Sequence, residues 1–481
     1  MAHNIMRFDT IEEREAFYDN SLEDIISYVD DDDEPHIRIA PRDEIWYTST
    51  DGDVVTPYLT SKSTFGANIV SNTYTDGKGI IKFDGPVTKV GGYAFYNRSK
   101  LSSIAFPESV TEIGSYALRS CSKLSYIYFP ENLLSIGSGA FYNVSLQQLY
   151  FNDNFISIGD YAFQWSGSVK KAYFGKNITS IGNNIFNECS GLVSISVDAD
   201  NPVYDSREGC NAIIETATNT MIAGCKKTVI PTTVTSIAST IFSYTGITKV
   251  ELPSNITSLG TNPFRYNGDI TTITVDPDNP VYDSRDNCNA IIETATNTLV
   301  SGCKNTIIPN TVTALANNCL YAMGLTRINI PSSVISIHYN SLVYNNWLST
   351  ITVDPDNPVY DSRDNCNAII ETATNTLIAG CKGTTIPYGV EIIGAYAFYL
   401  QTEMTTITLP ETVTSIGADA FTSTSKLSSF TSLNPTPPTL ASNSISGINA
   451  TCNFYVPAAS VEAYKAAPYW SARAAYIQTI S

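Results

Sequence analysis

The stretch VTEIGSYALRSCSKLSYIYFP (residues 110–130) contains two short patterns that recur along the chain and together decide the fold. In the first, IGSYAL, an aliphatic residue is followed by glycine and, five positions after the first, by leucine or phenylalanine. The second, LSYIYFP, alternates apolar with polar positions, which is typical of a strand with one buried face. A unit this short cannot bury its own apolar face, so the pattern predicts that successive units stack.

The first pattern occurs eleven times, and consecutive copies are 22 or 23 residues apart except for three intervals of 56 residues. Each longer interval therefore holds an insert of about 33 residues. We predict a β-rich solenoid, a stack of about eleven 22–23-residue coils with three hairpin inserts. The large apolar residues at the end of the pattern are expected to form one core column: Phe95, Leu118, Phe141, Phe163, Phe186, Phe242, Phe264, Leu320, Leu342, Phe398 and Phe421.

At these residues the chain resembles the BspA-like leucine-rich-repeat family, whose coils follow the pattern V-x-x-I-G-x-x-A-F-x-x-C-x-x-L-x-x-I-x-I-P. Residues 110–130 match it closely, and the resemblance extends over about residues 40–481. The resemblance implies a right-handed solenoid that binds partners, often at cell surfaces. It also implies a hairpin insert after the sequence NPxY.

The chain divides into an acidic helical head and linker (1–40), a β-hairpin N-terminal cap (41–85), the repeat solenoid (86–432) and a C-terminal cap (433–481). Residues 9–35 predict one or two short helices. Residues 44–58 predict a hairpin that turns at Asp51-Gly52. The C-terminal cap predicts a strand and then a helix around residues 461–477, which would cover the last open coil.

The net charge of −18 is concentrated at the beginning, where residues 1–60 contain 16 acidic and 4 basic side chains. The run of four aspartates is expected to be a solvated linker, and the alternative is an electrostatic contact with a basic partner. The candidate assembly-docking segment combines these aspartates with the apolar residues before them: Phe8, Phe17, Ile25, Ile26, Tyr28, Asp30, Asp31, Asp32 and Asp33.

Each insert carries one cysteine in its first half and another fifteen residues later, as in Cys210 and Cys225. A two-residue hairpin loop would place these two cysteines opposite each other. A three-residue loop, with Asn219 in the left-handed conformation, would instead pair Asn211 with Cys225. We favour the three-residue loop and therefore free thiols, because asparagine tolerates the left-handed conformation.

The candidate partner-binding face lies on the outward side of the long strands, where side chains alternate away from the core. Most outward residues are small and polar, but one patch is aromatic: Tyr126, Tyr128, Gln148, Tyr150, Lys171 and Tyr173. Exposed tyrosines with polar neighbours are typical of protein and glycan contacts. The structural alternative is that these rings stack on one another across neighbouring coils and stabilise the sheet.

We expect no catalytic residue, no bound metal and no cofactor. The chain has three histidines and no phosphate-binding loop, nucleophile elbow or zinc-ligand spacing. Residues 275–283, VDPDNPVYD, contain oxygen ligands of the kind calcium prefers, but Asp and Asn before proline also form turns. An acidic chain without a basic stripe is a poor candidate for nucleic acid, and no apolar stretch is long enough for membrane insertion.

These features predict a non-enzymatic binding or adhesion protein whose partner is a protein or glycan on a cell surface. The N-terminus lacks a charged segment followed by an apolar run, so we expect synthesis in a cytosol without general export. That expectation favours a phage virion component, such as a head fibre or tail-associated adhesin, held by other structural proteins through its N-terminal segment. The alternatives are a bacterial cell-surface or secreted adhesin and an intracellular scaffold; each is compatible with an oligomer.

Overall fold

The computed structural model describes residues 40–480 and, for the backbone alone, Ser27–Val29 and Pro35–Ile37. The chain divides into two compact units, Met1–Thr245 and Gly246–Ser481. In each unit the coils alternate a longer strand, most often of four residues, with a short strand of two. The protein is therefore a β-solenoid of stacked coils with few helices, as the repeat predicts.

The described elements of the first unit are mostly short strands. They are β1 (Ser27–Val29), β2 (Pro35–Ile37), β3 (Glu44–Ser49), α1 (Lys62–Phe65), β4 (Ile69–Thr75), β5 (Lys78–Phe83), β6 (Lys89–Val90), β7 (Leu101–Ala105), β8 (Glu112–Ile113), β9 (Tyr126–Tyr128), β10 (Ser135–Ile136), β11 (Gln148–Phe151), β12 (Ser157–Ile158), β13 (Lys171–Phe174), β14 (Ser180–Ile181), β15 (Ser194–Val197), β16 (Tyr204–Asp205), β17 (Ala212–Glu215), β18 (Thr220–Gly224) and β19 (Ser236–Ile237). One 3₁₀ turn, Arg207–Gly209, precedes β17.

The second unit repeats this arrangement and ends in a cap. Its elements are β20 (Lys249–Leu252), β21 (Ser258–Leu259), β22 (Thr272–Val275), β23 (Tyr282–Asp283), β24 (Ala290–Glu293), β25 (Thr298–Gly302), β26 (Ala314–Leu315), β27 (Arg327–Ile330), β28 (Ser336–Ile337), β29 (Thr350–Val353), β30 (Tyr360–Asp361), β31 (Ala368–Glu371), β32 (Thr376–Gly380), β33 (Ile392–Ile393), β34 (Thr406–Leu409), β35 (Ser415–Ile416), β36 (Ser429–Ser432), β37 (Thr439–Leu440), β38 (Asn453–Val456), α2 (Val461–Ala466) and β39 (Ile477–Thr479). The 3₁₀ turns here are Arg285–Asn287, Arg363–Asn365, Ala458–Ser460 and Trp470–Tyr476.

Neighbouring coils pair in register, so equivalent residues of successive repeats lie side by side. The short strands β6, β8, β10, β12 and β14 form one parallel sheet in which Ile136 faces Ile113 and Ile158. The long strands β11, β13 and β15 form another, and their outward residues are partly exposed while the alternate ones are buried. This alternation confirms the predicted inner and outer faces of the long strands.

A third side of each coil, which we call the turn face, joins the short strand to the next long strand. It has no strand pairing, yet its backbone is bonded from coil to coil: the Phe95 N–H donates to Ala117 O at 2.7 Å, and the Leu118 N–H donates to Ala140 O at 2.8 Å. The glycine that follows most of the short strands permits this close approach. A Cβ atom on Gly137 would lie 2.4 Å from the Ser115 nitrogen, closer than any side chain tolerates.

The predicted core column is confirmed in both units, since each of its large apolar residues is at most 5% exposed. In the first unit, the rings of Phe141 and Phe163 stack with centroids 5.3 Å apart and planes 4° apart. In the second, Phe398 and Phe421 stack with centroids 5.0 Å apart. In these directly consecutive coils the residues of the column contact their own counterparts, which helps to define the register of the repeat.

The first insert folds as a hairpin in which β17 pairs with β18, and the prediction for its loop is wrong. The loop has four residues, 216–219, because Glu215 lies opposite Thr220. A bulge at Ile222 then shifts the pairing, so that Ala212 faces Gly224 and the predicted register next to Cys225 is restored. Asn219 is left-handed, with φ 50°, as expected. The Cys225 thiol donates to Asn211 O at 3.3 Å rather than joining Cys210.

Two predictions for the N-terminal region need correction. Residues Ser27–Val29 form β1, antiparallel to β2, within the segment predicted to be helical; their aromatic and β-branched side chains favour strands. The strand β3 does form, but it pairs with β5 and β7 instead of folding back at Asp51-Gly52. The hairpin of this cap is β4–β5, whose turn Asp76-Gly77 has two positive φ angles.

Candidate ligand-binding face

The six residues of the predicted partner-binding face lie on strands of three successive coils: β9, which ends one sheet, and β11 and β13, which pair with each other in the next sheet. In the ladder between β11 and β13, Gln148 pairs with Lys171 and Tyr150 pairs with Tyr173. Lys171 is exposed, and the other five are partly exposed. The structure therefore gathers the predicted residues on one side of the first unit, and we call this set the tyrosine face.

The two tyrosines of the β11–β13 ladder are packed against each other. Their ring centroids are 5.0 Å apart and their planes differ by 9°, which makes a parallel stack across two coils. This contact is what the structural alternative predicts, because cross-strand aromatic pairs stabilise sheets. Both residues remain partly exposed.

Two of the tyrosine hydroxyls donate hydrogen bonds to carboxylates. Tyr173 donates to Asp198 Oδ2 at 2.7 Å, and Tyr128 donates to Glu108 Oε1 at 2.6 Å. Burial, together with these hydrogen bonds to carboxylates, raises the pKa of both phenols well above the ordinary value. The two hydroxyls are therefore neutral at physiological pH, and each keeps a lone pair with which it can accept a hydrogen bond.

Gln148 carries the one irregularity of this face. Its side-chain oxygen is buried and accepts no hydrogen bond from any residue in the described part of the chain. An unpaired buried acceptor destabilises a fold by about 1–3 kcal/mol, so native structures keep few of them. Because this oxygen has almost no accessible surface, a hydroxyl or amide of a ligand can donate to it only after the neighbouring side chains shift.

A groove of about 730 Å³ lies next to the tyrosine face, and Glu108 of its lining accepts the hydrogen bond from Tyr128. Its lining includes Leu134 and Ile156, which are 40% and 43% exposed, and polar residues such as Asn132 and Asp153. This groove was not among the surfaces predicted from the sequence. The signal was available, because the residue before the short strand is threonine in most coils but leucine and isoleucine in these two.

In the oxygen-rich turn considered as a calcium site, side chains bond to other groups of the chain itself. Asn279 donates through Nδ2 to Pro253 O and Ile256 O, while its Oδ1 accepts from two backbone N–H groups. Asp283 pairs with Arg285. Within the described residues, no group of three histidine, cysteine, aspartate or glutamate side chains is placed to hold a metal ion. None of the helices described is long and apolar enough to cross a membrane.

The candidate assembly-docking segment lies almost entirely outside the described residues. Tyr28 is the exception, and only its backbone is described, in β1. The segment therefore stays a prediction.

The chain belongs to the BspA type leucine-rich repeat family. The family model, described as the BspA type leucine rich repeat region, matches residues 81–206, 217–345, 287–367 and 377–465, well over half of the chain. Proteins of this family are repeat scaffolds of the bacterial surface or adhesin type, and typically not enzymes. A comparison with curated proteins finds no match.

Several solved structures are similar to this chain. A leucine-rich cell surface protein from Faecalibacterium prausnitzii is 22% identical, with a TM-score of 0.41 over 76% of this chain and 86% of that one. A leucine-rich repeat protein from Eubacterium ventriosum is 19% identical, with a TM-score of 0.39 over 76% and 81%. The pneumococcal vaccine antigen PcpA is 16% identical, with a TM-score of 0.31 over 85% and 86%.

Proposed function

We propose that this protein is a non-enzymatic binding protein of the adhesin type, and that its tyrosine face takes a polar group of a protein or glycan on a cell surface. The observation that carries the proposal is the buried side-chain oxygen of Gln148, which has no donor within the described part of the chain. It lies in register with Lys171 and among partly exposed tyrosine rings.

The chemistry of this face suits a ligand rich in hydroxyl or amide groups. Gln148 accepts a hydrogen bond, Lys171 donates, and the held hydroxyls of Tyr128 and Tyr173 accept. Ring surfaces nearby cover the apolar parts of the same ligand at low conformational cost, because tyrosine has few rotatable bonds. The adjoining groove gives room for a longer ligand.

The test uses the full chain, a glycan array and immobilised mucin. We expect the double variant Tyr150→Ala/Tyr173→Ala to lose binding by about tenfold or more, as is usual for removing central aromatic contacts. Gln148→Leu should also weaken binding but leave the free energy of unfolding unchanged or raised, because it removes an unpaired buried acceptor.

Tyr455→Ala is the matched control, since Tyr455 is a partly exposed tyrosine on the outward side of β38 in the other unit. It should bind like the unaltered chain. If the double variant and Gln148→Leu both bind as tightly as this control, the tyrosine face is only a stabilising stack.

The place of display is a separate part of the proposal. Membership of the BspA type family supports a bacterial cell surface or an extracellular location. The virion hypothesis depends on the acidic head, which lies almost wholly outside the described residues. Mass spectrometry of purified virions and of membrane and extracellular fractions from the source distinguishes the two locations, and a peptide match confined to virions would support the phage alternative.

A further inference from the structure

The turn face of the first unit carries a second aromatic surface that the repeat pattern alone does not predict. Two columns run across successive coils there. One contains Tyr93, Tyr116 and Gly139, and the other contains Tyr96, Arg119 and Tyr142. The coil-to-coil backbone bonds of this face, such as Asn97 N–H to Arg119 O at 2.8 Å and Ser120 N–H to Tyr142 O at 2.8 Å, hold the columns in register.

Arg119 lies between two tyrosine rings of neighbouring coils. Its guanidinium carbon is 4.1 Å from the ring centre of Tyr142 and 5.4 Å from that of Tyr116. Cation–π contacts of this kind orient the guanidinium plane while leaving its edge donors available. The side chain is therefore positioned before any ligand arrives.

Gly139 makes this arrangement possible. It stands in the column where neighbouring coils have tyrosine, and a Cβ atom there would lie 2.7 Å from Cε1 of Tyr116. The missing side chain leaves room for the Tyr116 ring to lie over the next coil. Gly139, the Tyr116 ring and the Arg119 side chain therefore form a single packed arrangement.

The guanidinium donors of Arg119 have no acceptor among the described residues. Across the described residues, no carboxylate, carbonyl or hydroxyl oxygen accepts a hydrogen bond from its guanidinium, and Arg119 forms no ion pair there. This is notable in a chain with a net charge of −18. A half-buried guanidinium with free, parallel N–H groups matches a planar carboxylate, which accepts two hydrogen bonds side by side.

Further aromatic surface extends from Arg119 toward the N-terminal cap. Tyr93 is 5.2 Å from Tyr116 and 5.6 Å from Tyr96, and Tyr58 is 5.6 Å from Tyr96, all between ring centroids. Tyr58 and Tyr93 are 53% and 43% exposed. We call the set Tyr58, Tyr93, Tyr96, Tyr116, Arg119 and Tyr142 the arginine–tyrosine patch.

The patch favours a saccharide over an acidic peptide. Peptides commonly dock by adding backbone hydrogen bonds to an exposed edge. Here the backbone donors of the turn face are bonded to the next coil, as for Phe95 with Ala117, so they offer no such edge. Tyrosine rings instead present flat apolar surface with polar rims, which complements the C–H face and hydroxyls of a pyranose ring.

We propose that the arginine–tyrosine patch binds an acidic saccharide, with a uronic-type carboxylate on Arg119 and neighbouring sugar rings on the tyrosines. This site is on a different side of the coil from the tyrosine face, and it uses none of the same residues. It goes beyond the proposed function and stands or falls independently of it.

The test measures binding of hexagalacturonate, which has a carboxylate on every ring, to the full chain by isothermal titration calorimetry. The fully methyl-esterified hexamer is the neutral probe, and hexaglutamate is the peptide probe. We expect only hexagalacturonate to bind, and the affinity to fall with added salt because part of it is electrostatic. Arg119→Gln should weaken binding by about tenfold or more, and Arg119→Lys should weaken it too, since lysine lacks the planar fork.

Two further variants separate local geometry from net charge. Gly139→Ala should weaken binding by displacing the Tyr116 ring without touching Arg119 directly. Arg327→Gln, which removes an exposed arginine from the outward side of β27 in the other unit, should bind like the unaltered chain. Circular dichroism melts confirm that each variant is folded.

The proposal is overturned if the unaltered chain does not bind hexagalacturonate, or if Arg119→Gln binds it as tightly as Arg327→Gln does. Equal binding of the methyl-esterified hexamer would show that the carboxylate does not contribute to binding. Equal or tighter binding of hexaglutamate would make the patch a site for acidic peptides instead. Gln148→Leu should leave this binding unchanged, so failure here and failure of the tyrosine face are distinguishable.

Discussion

Each of the ten cysteines is buried as a free thiol in the described part of the chain. Burial raises the pKa of Cys121, Cys189 and Cys319 from 9.0 to about 12, and that of Cys210 from 9.0 to about 11. The thiolate is the reactive form of cysteine, so these side chains are unreactive while the protein is folded. Their role is that of small apolar residues in the core.

We expect ten thiols to react with DTNB in guanidinium without reductant, and almost none to react in the folded protein at pH 8. Because the folded-state pKa values lie above the ordinary 9.0, the neutral thiols contribute stability that is complete below pH 9 and is lost as pH rises toward 12. Native reactivity and unfolding should therefore increase together in alkaline solution. A count of four thiols under denaturing conditions would mean three disulfides, and it would contradict the hairpin register.

At the scale of the element, each hairpin insert has the same internal clamp. In the first, Arg207 donates through Nε to Asp205 Oδ1 at 2.8 Å and through Nη2 to Asp205 Oδ2 at 2.5 Å. Its Nη1 reaches Asn219 Oδ1 at 2.9 Å, in the loop at the far end of the hairpin. Burial alone would raise the pKa of Asp205, but the hydrogen bonds from Arg207 outweigh it and the pKa is lowered.

The three copies of this clamp allow an internal comparison. Arg207→Ala and Arg285→Ala should each lower the free energy of unfolding by about 1–3 kcal/mol, because each leaves a partly buried carboxylate without its partner. Arg363→Ala should have a smaller effect: its side chain is 32% exposed, against 26% and 25% for the other two, and its bond to Asn375 is longer, at 3.3 Å.

Urea denaturation measures these differences, with Lys426→Ala as the control. Lys426 forms an ion pair with Glu403, but its side chain is 57% exposed, so its loss should change stability by less than about 1 kcal/mol. The clamp interpretation fails if the arginine variants are no less stable than this control.

The hairpins also indicate what local sequence can and cannot predict. The left-handed Asn219 was predictable, because asparagine adopts that conformation at low cost in loops. The bulge at Ile222 was not, because the apolar run Met221-Ile222-Ala223 carries no signal for an extra residue and only the pairing of both strands reveals it. Similarly, Asp51-Gly52 and Asp76-Gly77 are equivalent turn signals in sequence. Only the second joins two paired strands, since the partners of β3 are distant in the chain.

At the scale of the whole molecule, stability is local because each coil contacts mainly its neighbours. The C-terminal cap closes the second unit with Trp470, whose indole N–H donates to Pro438 O at 2.8 Å. Its ring packs edge-on against Phe430, Phe454 and Tyr464. The predicted strand of the cap forms as β38, but the helix predicted around residues 461–477 is shorter: α2 ends at Ala466, and a 3₁₀ turn (Trp470–Tyr476) and β39 complete the cap around this aromatic anchor.

Trp470→Ala should lower stability by about 3–5 kcal/mol, as for other buried aromatic truncations. The loss should be confined to the second unit, so hydrogen exchange should accelerate in β36 and β38 and stay unchanged in β11 and β13. Tyr469→Ala, which alters an adjacent residue that is 57% exposed, is the control. A uniform increase over the whole chain would contradict local stability.

The two candidate binding surfaces differ in how far sequence predicts them. The residues of the tyrosine face follow from strand alternation, although the carboxylates that hold its hydroxyls and the unpaired Gln148 oxygen do not. The arginine–tyrosine patch depends on which residues face each other on successive coils, and on a ring that occupies the space over Gly139. A consensus taken over all repeats keeps only the residues that the coils share. It therefore does not show residues that differ from one coil to the next.

The hydrogen bonding of the turn face also bears on survival outside a cell. Proteases cleave chain that can leave the fold and extend into their active sites, and they usually find it in long surface loops. Here even the segments without strand pairing are bonded to the coils on either side, as Leu118 is to Ala140 and Ala117 is to Phe95. Cleavage of one segment therefore requires that the coils on both sides of it open at the same time. We therefore expect the turn face to be cleaved slowly by proteases while the protein is folded, although the described residues contain no disulfide.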